Sequence, residues 1–478
     1  MTDPEVTDPE EHPYAAILPF HAPHLVDAEG DALPPTPAQM AQVHFASGGA
    51  AEHPYAVEYK GEFETPWDGT ALAVRLHARA LASRGVPVAL TSFSHVVVNA
   101  DGGADPVALV GLPSEVRHEV GDLCATSATA RVPIIRHAVI RSAEHARNII
   151  LPRGIVPETD NVTDQIAIRR LVGSMTIIYS VWERDNVELS LARELNRAAQ
   201  LWVPCQHNAE MLIRSGVIES KVHVVPHPYD PADDICKVQA TTYKKSPVTG
   251  DWRLFYSIGR WEPRKGYAEL LEAFLSAFKP TDHVKLTLKY TGGNWPGYPT
   301  PTEAVRQALA RQQNGWTSET VQKKVVLQSG RGSRTGIIEL HCKNNIYVAS
   351  SHGEAWCLPA MEARLSGNAL VYVPYGGVCD FAGALDVAVE TTGLEDVPES
   401  YHWADGKWAS YNVPALVAAL RRADRPAVFS VDPKLKRFEL GEVGTQMVFL
   451  MLDVARVAKP EAYEYYMGLM QKKFPGHG

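Results

Sequence analysis

From about residue 55 the chain alternates short apolar runs with longer amphipathic stretches, the pattern of strands and helices taking turns. Ala56-Val57-Glu58-Tyr59 predicts a strand. Thr70–Ser83 predicts a helix, with apolar Leu72, Val74, Leu76 and Leu81, and Pro87–Leu90 the next strand. Strand, glycine turn, helix, strand is a βαβ unit, which implies a parallel sheet and a right-handed crossover. Met175–Tyr179, Leu201–Val203 and Val222–Val225 continue the strands, with a helix over Val187–Ala199. Residues 229–251 are polar and turn-rich, as a linker would be. A second alternating series follows, with strands at Arg253–Ile258, Val284–Lys289, Val325–Gln328, Ile346–Ser350, Ala369–Val373 and Val387–Glu390. Helices are expected between them near 267–278, 302–313, 335–343 and 359–366. Further on, Met447, Val448, Leu450, Met451, Val454 and Val457 recur at helical spacing.

The expected division is an extension over 1–54, an α/β half over 55–230, a linker over 231–250, a second α/β half over 251–440 and helices over 441–478. A length of 478 residues suits two domains of about 200 each. The first 40 residues hold eight prolines and the tandem TDPE, so at least the first ten are expected to be disordered. EHPYA occurs at 11–15 and again at 52–56, too little to make a repeat.

Apolar residues make up 45% and charged residues 21%, the proportions of a soluble globular protein. No apolar run reaches the roughly 18 residues of a membrane span, so no integral membrane segment is expected. The acidic start MTDPEVTDPEE is unlike a signal sequence. Six cysteines without a CxxC pair fit reduced thiols, and the expected location is cytoplasmic. The net charge of −9 hides an asymmetry: residues 1–68 hold 13 acids and one base, Lys60, leaving the rest slightly basic. An anionic partner for the folded body is therefore not excluded.

Two segments carry candidate chemistry. In Ser350–Gly367 a strand delivers the chain into a loop holding Glu354. Pro359 then suits the first helical position and Gly367 the position just past the end. Glu354 thereby sits at a strand's carboxyl end, and Glu362 one turn into a helix whose free N–H groups suit an anion such as a diphosphate. By themselves a solvated Glu362 and a capping Glu354 are much the plainer explanation of the pair. In Ser257–Gly266, Arg260 and Lys265 flank the loop after another strand and could neutralise charge growing on a departing diphosphate. Exposed bases at a helix start are the plainer alternative.

Together, Gly259-Arg260-x4-Lys265-Gly266 and Glu354-x7-Glu362 resemble the retaining, nucleotide-sugar-dependent glycosyltransferases of GT-B fold, family-4 type. The resemblance implies two Rossmann-like parallel-sheet domains facing a cleft, with the last helices crossing back onto the first. It implies that Arg260 and Lys265 hold the donor diphosphate, Glu362 the nucleotide ribose and Glu354 the transferred sugar. Gly259 would belong to that loop, and Trp356, Cys357 and Leu358 would touch the sugar or phosphates through backbone amides. Trp67-Asp68-Gly69-Thr70 resembles the family's first strand-to-helix loop, where Gly69 lets backbone approach a substrate. The donor would be a UDP- or GDP-sugar, and no further cofactor or protein-bound metal is required.

The acceptor hydroxyl is open: a saccharide, a lipid, a small molecule or a modified DNA base. Five arginines between 131 and 153 permit an anionic acceptor, although a solvated helix face accounts for them more simply. Trp182 could stack on a sugar and Glu183 could position a hydroxyl, or they could be core and surface residues. The histidines, His137 and His145 among them, show no metal-ligand spacing. The competing readings are a sugar-nucleotide epimerase, a non-catalytic sugar-nucleotide-binding protein, and a transferase acting on hydroxymethylated DNA bases.

Overall fold

The computed structural model describes residues 51–63, 68–92, 133–150, 172–233, 252–401, 406–424 and 432–473, with 116, 119, 120, 123 and 126–128. Most of the expected extension, Trp67, Arg131, Arg153 and nearly all of the expected linker lie outside the described residues.

The first half is a six-stranded parallel sheet made of β1 (Val57–Gly61), β2 (Val88–Thr91), β3 (Ile134–His137), β4 (Thr176–Tyr179), β5 (Gln200–Val203) and β6 (Val222–Val224). Their order is β2-β1-β3-β4-β5-β6. The second half repeats the plan with β7 (Arg253–Trp261), β8 (Val284–Gly292), β9 (Val325–Ser329), β10 (Ile346–Ala349), β11 (Ala369–Tyr372) and β12 (Val387–Ala388), ordered β9-β8-β7-β10-β11-β12. Val, Ile and Leu recur in these strands, as suits a parallel sheet covered by helices on both faces. In each half the chain winds outward from the first strand, then returns to its other side. The switch points fall between β1 and β3 and between β7 and β10, where carboxyl-end loops diverge and leave a crevice.

Strand β3 has no counterpart among the sequence-based expectations. It lies within the arginine run, and its Arg136 is buried beside Glu58, 3.4 Å away on β1. The run is therefore not one solvated helix face. Arg136 belongs to a central strand, and Arg147 to the separate helix Ala143–Ile150. Also unforeseen is the antiparallel hairpin β13 (Gly393–Asp396) and β14 (Lys407–Ser410) beside the second sheet.

Helix α1 (Gly69–Ser83) follows β1 and is started by Asp68, whose carboxylate accepts from the N–H groups of Thr70 and Ala71 at 2.9 and 3.0 Å. Helices α2 (Tyr267–Ala277), α3 (Arg334–Lys343) and α4 (Leu358–Leu365) surround the second switch point. Past the second sheet, α5 (Leu440–Ala458) and α6 (Pro460–Lys473) pack on the first half. Met447, Val448, Met451 and Tyr466 are buried in one cluster with Val74, Leu81 and Val88. Contact is so close at Gly444 that a Cβ would stand 2.1 Å from the Ala80 carbonyl.

Candidate functional site

Between the halves opens a cleft of about 1470 Å³. Gly69, Gly259, Arg260, Lys265, Glu354, Trp356, Cys357, Leu358 and Glu362, singled out from sequence, line it, as do the weaker candidates Trp182 and Glu183.

The loop after β7 is built around close backbone approach. A Cβ on Gly259 would lie 2.7 Å from the Tyr267 hydroxyl and 3.2 Å from Lys265 Cε, so the lysine stem packs over bare backbone there. Gly266 closes the turn Pro263–Lys265 at φ 61°, a left-handed conformation that glycine adopts without strain. Ser350, at the end of β10, donates its hydroxyl to the Lys265 carbonyl at 2.7 Å. The two loops flanking the switch point are thus tied together, and the Lys265 ammonium forms an ion pair with Glu354.

Arg264, which motif spacing does not single out, is the hub of this region. Its buried guanidinium donates to the Gly353 carbonyl at 2.7 Å and to Glu262 at 2.8 Å. It also lies 3.3 Å from Glu354 and 3.1 Å from Glu183 of the first half. Arg260, by contrast, is 63% exposed and faces Glu262 loosely at 3.8 Å.

Glu354 is positioned by glycines that allow backbone to touch backbone. At Gly376, with φ 83°, a Cβ would fall 1.7 Å from the Glu354 carbonyl, and at Gly353 a Cβ would meet the Glu183 carbonyl at 2.1 Å. Burial raises the Glu354 carboxyl pKa, but Lys265 and Arg264, with a 2.6 Å hydrogen bond from Ser351, outweigh it and hold the pKa at about 2. Glu183 shifts the other way: burial and the neighbouring Glu354 and Glu262 prevail over Arg264 and push its pKa up.

Cys357 has φ 72° and precedes α4, offering its amino end no side-chain cap. Burial pushes the Cys357 thiol up to about 12, so it is a neutral thiol. Trp356 packs edge-on to His227, with ring centroids 5.9 Å apart. Glu362 does not meet Glu354. It pairs with Arg334, which also reaches Asp233 at 3.0 Å, and it lies 3.4 Å from His341. Burial opposes ionisation here as well, yet Arg334 and His341 hold its pKa at about 2.

In the first half Gly69 faces Leu358 across the cleft, its Cβ position 3.7 Å from that side chain. Beneath it three histidines converge from distant segments. His137 lies 5.5 Å from His77 and 6.4 Å from His227, measured between ring centroids. Burial keeps all three neutral at ordinary pH. Among the described residues no His, Cys, Asp or Glu group has metal-holding geometry.

Arg264, Arg334 and His227 draw no reading from sequence, and His137 is weighed there only as a metal ligand. Arg264 falls inside the variable part of a spaced motif, and the histidines come together only once β3 and the segment after β6 are side by side.

Two parallel Rossmann-like sheets facing a cleft define the GT-B fold. Among solved structures, an α,α-trehalose 6-phosphate synthase from Burkholderia multivorans has this fold, with a TM-score of 0.50 at 13% identity over 86% of this chain and 99% of that one. An Anabaena HepE protein solved with UDP and glucose aligns at TM-score 0.49 and 12% identity, over 83% of this chain and 99% of its own. A Rickettsia africae glycosyltransferase aligns at 0.46 and 11%, over 84% and 98%. No protein-family model matches the sequence, and no curated protein matches it.

Proposed function

We propose that this chain is a glycosyltransferase that moves a sugar from a nucleoside-diphosphate sugar to an acceptor hydroxyl with retention of anomeric configuration. The observation that carries the reading is the convergence of Lys265 and Arg264 on Glu354 where the uncapped amino end of α4 meets the cleft. In this reading the diphosphate lies at the amino end of α4, between Lys265 and Arg260. Arg260 is exposed and loosely paired, so it can turn onto a phosphoryl oxygen. Glu354, kept ionised, accepts hydrogen bonds from the sugar and stabilises positive charge growing at its anomeric carbon. Glu362, also ionised, takes the ribose hydroxyls. As the carbon–oxygen bond to the diphosphate breaks, the acceptor oxygen bonds to that carbon from the same face, and a phosphate oxygen receives its proton.

A thermal-shift panel of UDP-glucose, UDP-galactose, UDP-N-acetylglucosamine and GDP-mannose tests donor binding. A ligand at about 100 times its dissociation constant adds roughly 2.7 kcal/mol. Absence of a shift with every donor would sink the reading. Once an acceptor is found, NMR of the product's anomeric proton decides retention.

A further inference from the structure

We propose that Trp295 forms the floor of an acceptor subsite that takes a pyranose ring, which makes the acceptor a saccharide; the inference rests on the glycosyltransferase reading above. Trp295 belongs to a turn after β8, and with Asn294, Glu399 and Ser400 it lines the cleft. Its indole is half-buried, backed by Tyr401 at 4.6 Å between ring centroids. The indole N–H donates to Ser400 Oγ at 2.9 Å, which locks the ring's orientation and leaves the serine proton available to a ligand.

The turn that carries it is rigid. Trp295 and Tyr298 are bridged across Gly297, whose φ is 76°. The Tyr298 hydroxyl accepts from the Ala268 N–H at 2.9 Å and donates to Glu269 at 3.0 Å, and the Trp261 indole donates to the Pro299 carbonyl at 2.8 Å. An aromatic residue needed only for packing would be covered on both faces. This one is anchored at its polar edge and still borders the cleft. A pyranose offers an apolar C–H face to an electron-rich ring and hydroxyls to the groups around it. Ser400 has a hydroxyl proton to give. Asn294 and Glu399 border the same stretch of the cleft.

Position separates this subsite from the nucleotide. Glu362, Arg334 and Asp233 mark one region of the cleft. Trp295 instead connects through Tyr401, whose hydroxyl accepts from the Arg264 N–H at 3.1 Å, to the Arg264 cluster that holds Glu354 and Glu183. A ring stacked on Trp295 would therefore lie on the Arg264 side of the cleft, apart from the region of Arg334 and Glu362 that the donor reading gives to the ribose.

Saturation-transfer NMR on the full chain tests this, with the methyl α- and β-pyranosides of glucose, galactose and mannose as probes and UDP or GDP present. The expected result is saturation concentrated on one face of a pyranoside, affinity weakened at least about tenfold by Trp295→Ala, and partial retention in Trp295→Phe. Circular dichroism establishes that both variants fold. If a nucleotide binds and no pyranoside is saturated, or if Trp295→Ala leaves the signal unchanged, the subsite is refuted while the donor reading stands. If neither nucleotide binds, the glycosyltransferase reading fails and takes the subsite with it.

Discussion

Lys265 and Glu354, 89 residues apart in sequence, form an ion pair across the point where the second sheet reverses its winding. One follows β7 and the other β10, adjacent strands whose loops part at their carboxyl ends. The pair sets the charge available where a diphosphate and a sugar would meet.

Lys265→Ala is expected to lower turnover about 100- to 1000-fold with a lowered thermal midpoint but an intact fold, because Glu354 keeps Arg264 and Ser351 as partners. Steady-state kinetics on whichever donor the binding panel selects, alongside calorimetry, checks it. Unchanged turnover would remove Lys265 from the phosphate site.

Glu354→Gln should abolish transfer more severely than Glu362→Gln, whose main effect should be weaker donor binding. The two carboxylates sit in separate ion-pair networks, one around Lys265 and Arg264 and the other around Arg334, so their effects should be separable. Titration calorimetry beside kinetics distinguishes kcat from donor affinity. The reverse order would exchange their roles.

Acid stability follows from the same networks. Both carboxyls have folded-state pKa values of about 2, below the ordinary 4.5, so the folded chain binds fewer protons than the unfolded one between these values. Their contribution is complete above the unfolded value and is lost as pH falls towards 2. Denaturant midpoints measured between about pH 6 and pH 3 should fall less steeply in Glu354→Gln than in the parent chain. Parallel slopes would contradict the ion-pair account.

Gly376→Ala should be destabilising by about 2–4 kcal/mol, since φ is 83° and the new Cβ would stand 1.7 Å from the Glu354 carbonyl. The same change should weaken donor binding by displacing the Glu354 loop. Urea denaturation and donor titration together test both parts, and a variant as stable as the parent would show that this contact relaxes freely.

Much of the architecture was legible because parallel strands buried on both faces tend to be apolar, and Ile346–Ser350 or Ala369–Val373 can hardly be anything else. Strand ends were less so: β7 and β8 run on through Arg260-Trp261 and Tyr290–Gly292, polar or aromatic residues kept in register by their neighbours. Strand β3 escaped notice because Arg136 and His137 break its apolar pattern, and their burial depends on Glu58 and Tyr59 of β1. The spaced motif residues stand out in the sequence through type and interval, and they come to line one cleft. Arg264, Arg334 and the three histidines are placed by partners that only folding supplies. The positive φ at Cys357 left no mark in composition, since cysteine is not a residue that favours it.

The seating of Gly444 against Ala80 bears on how the molecule is assembled during synthesis. The early sheet cannot bury Val74, Leu81 and Val88 fully until Leu440–Lys473 has been made, because those late helices supply the other wall of their cluster. A nascent chain holding every strand of that sheet would still expose a greasy flank, and either half expressed by itself should aggregate where the whole remains dissolved.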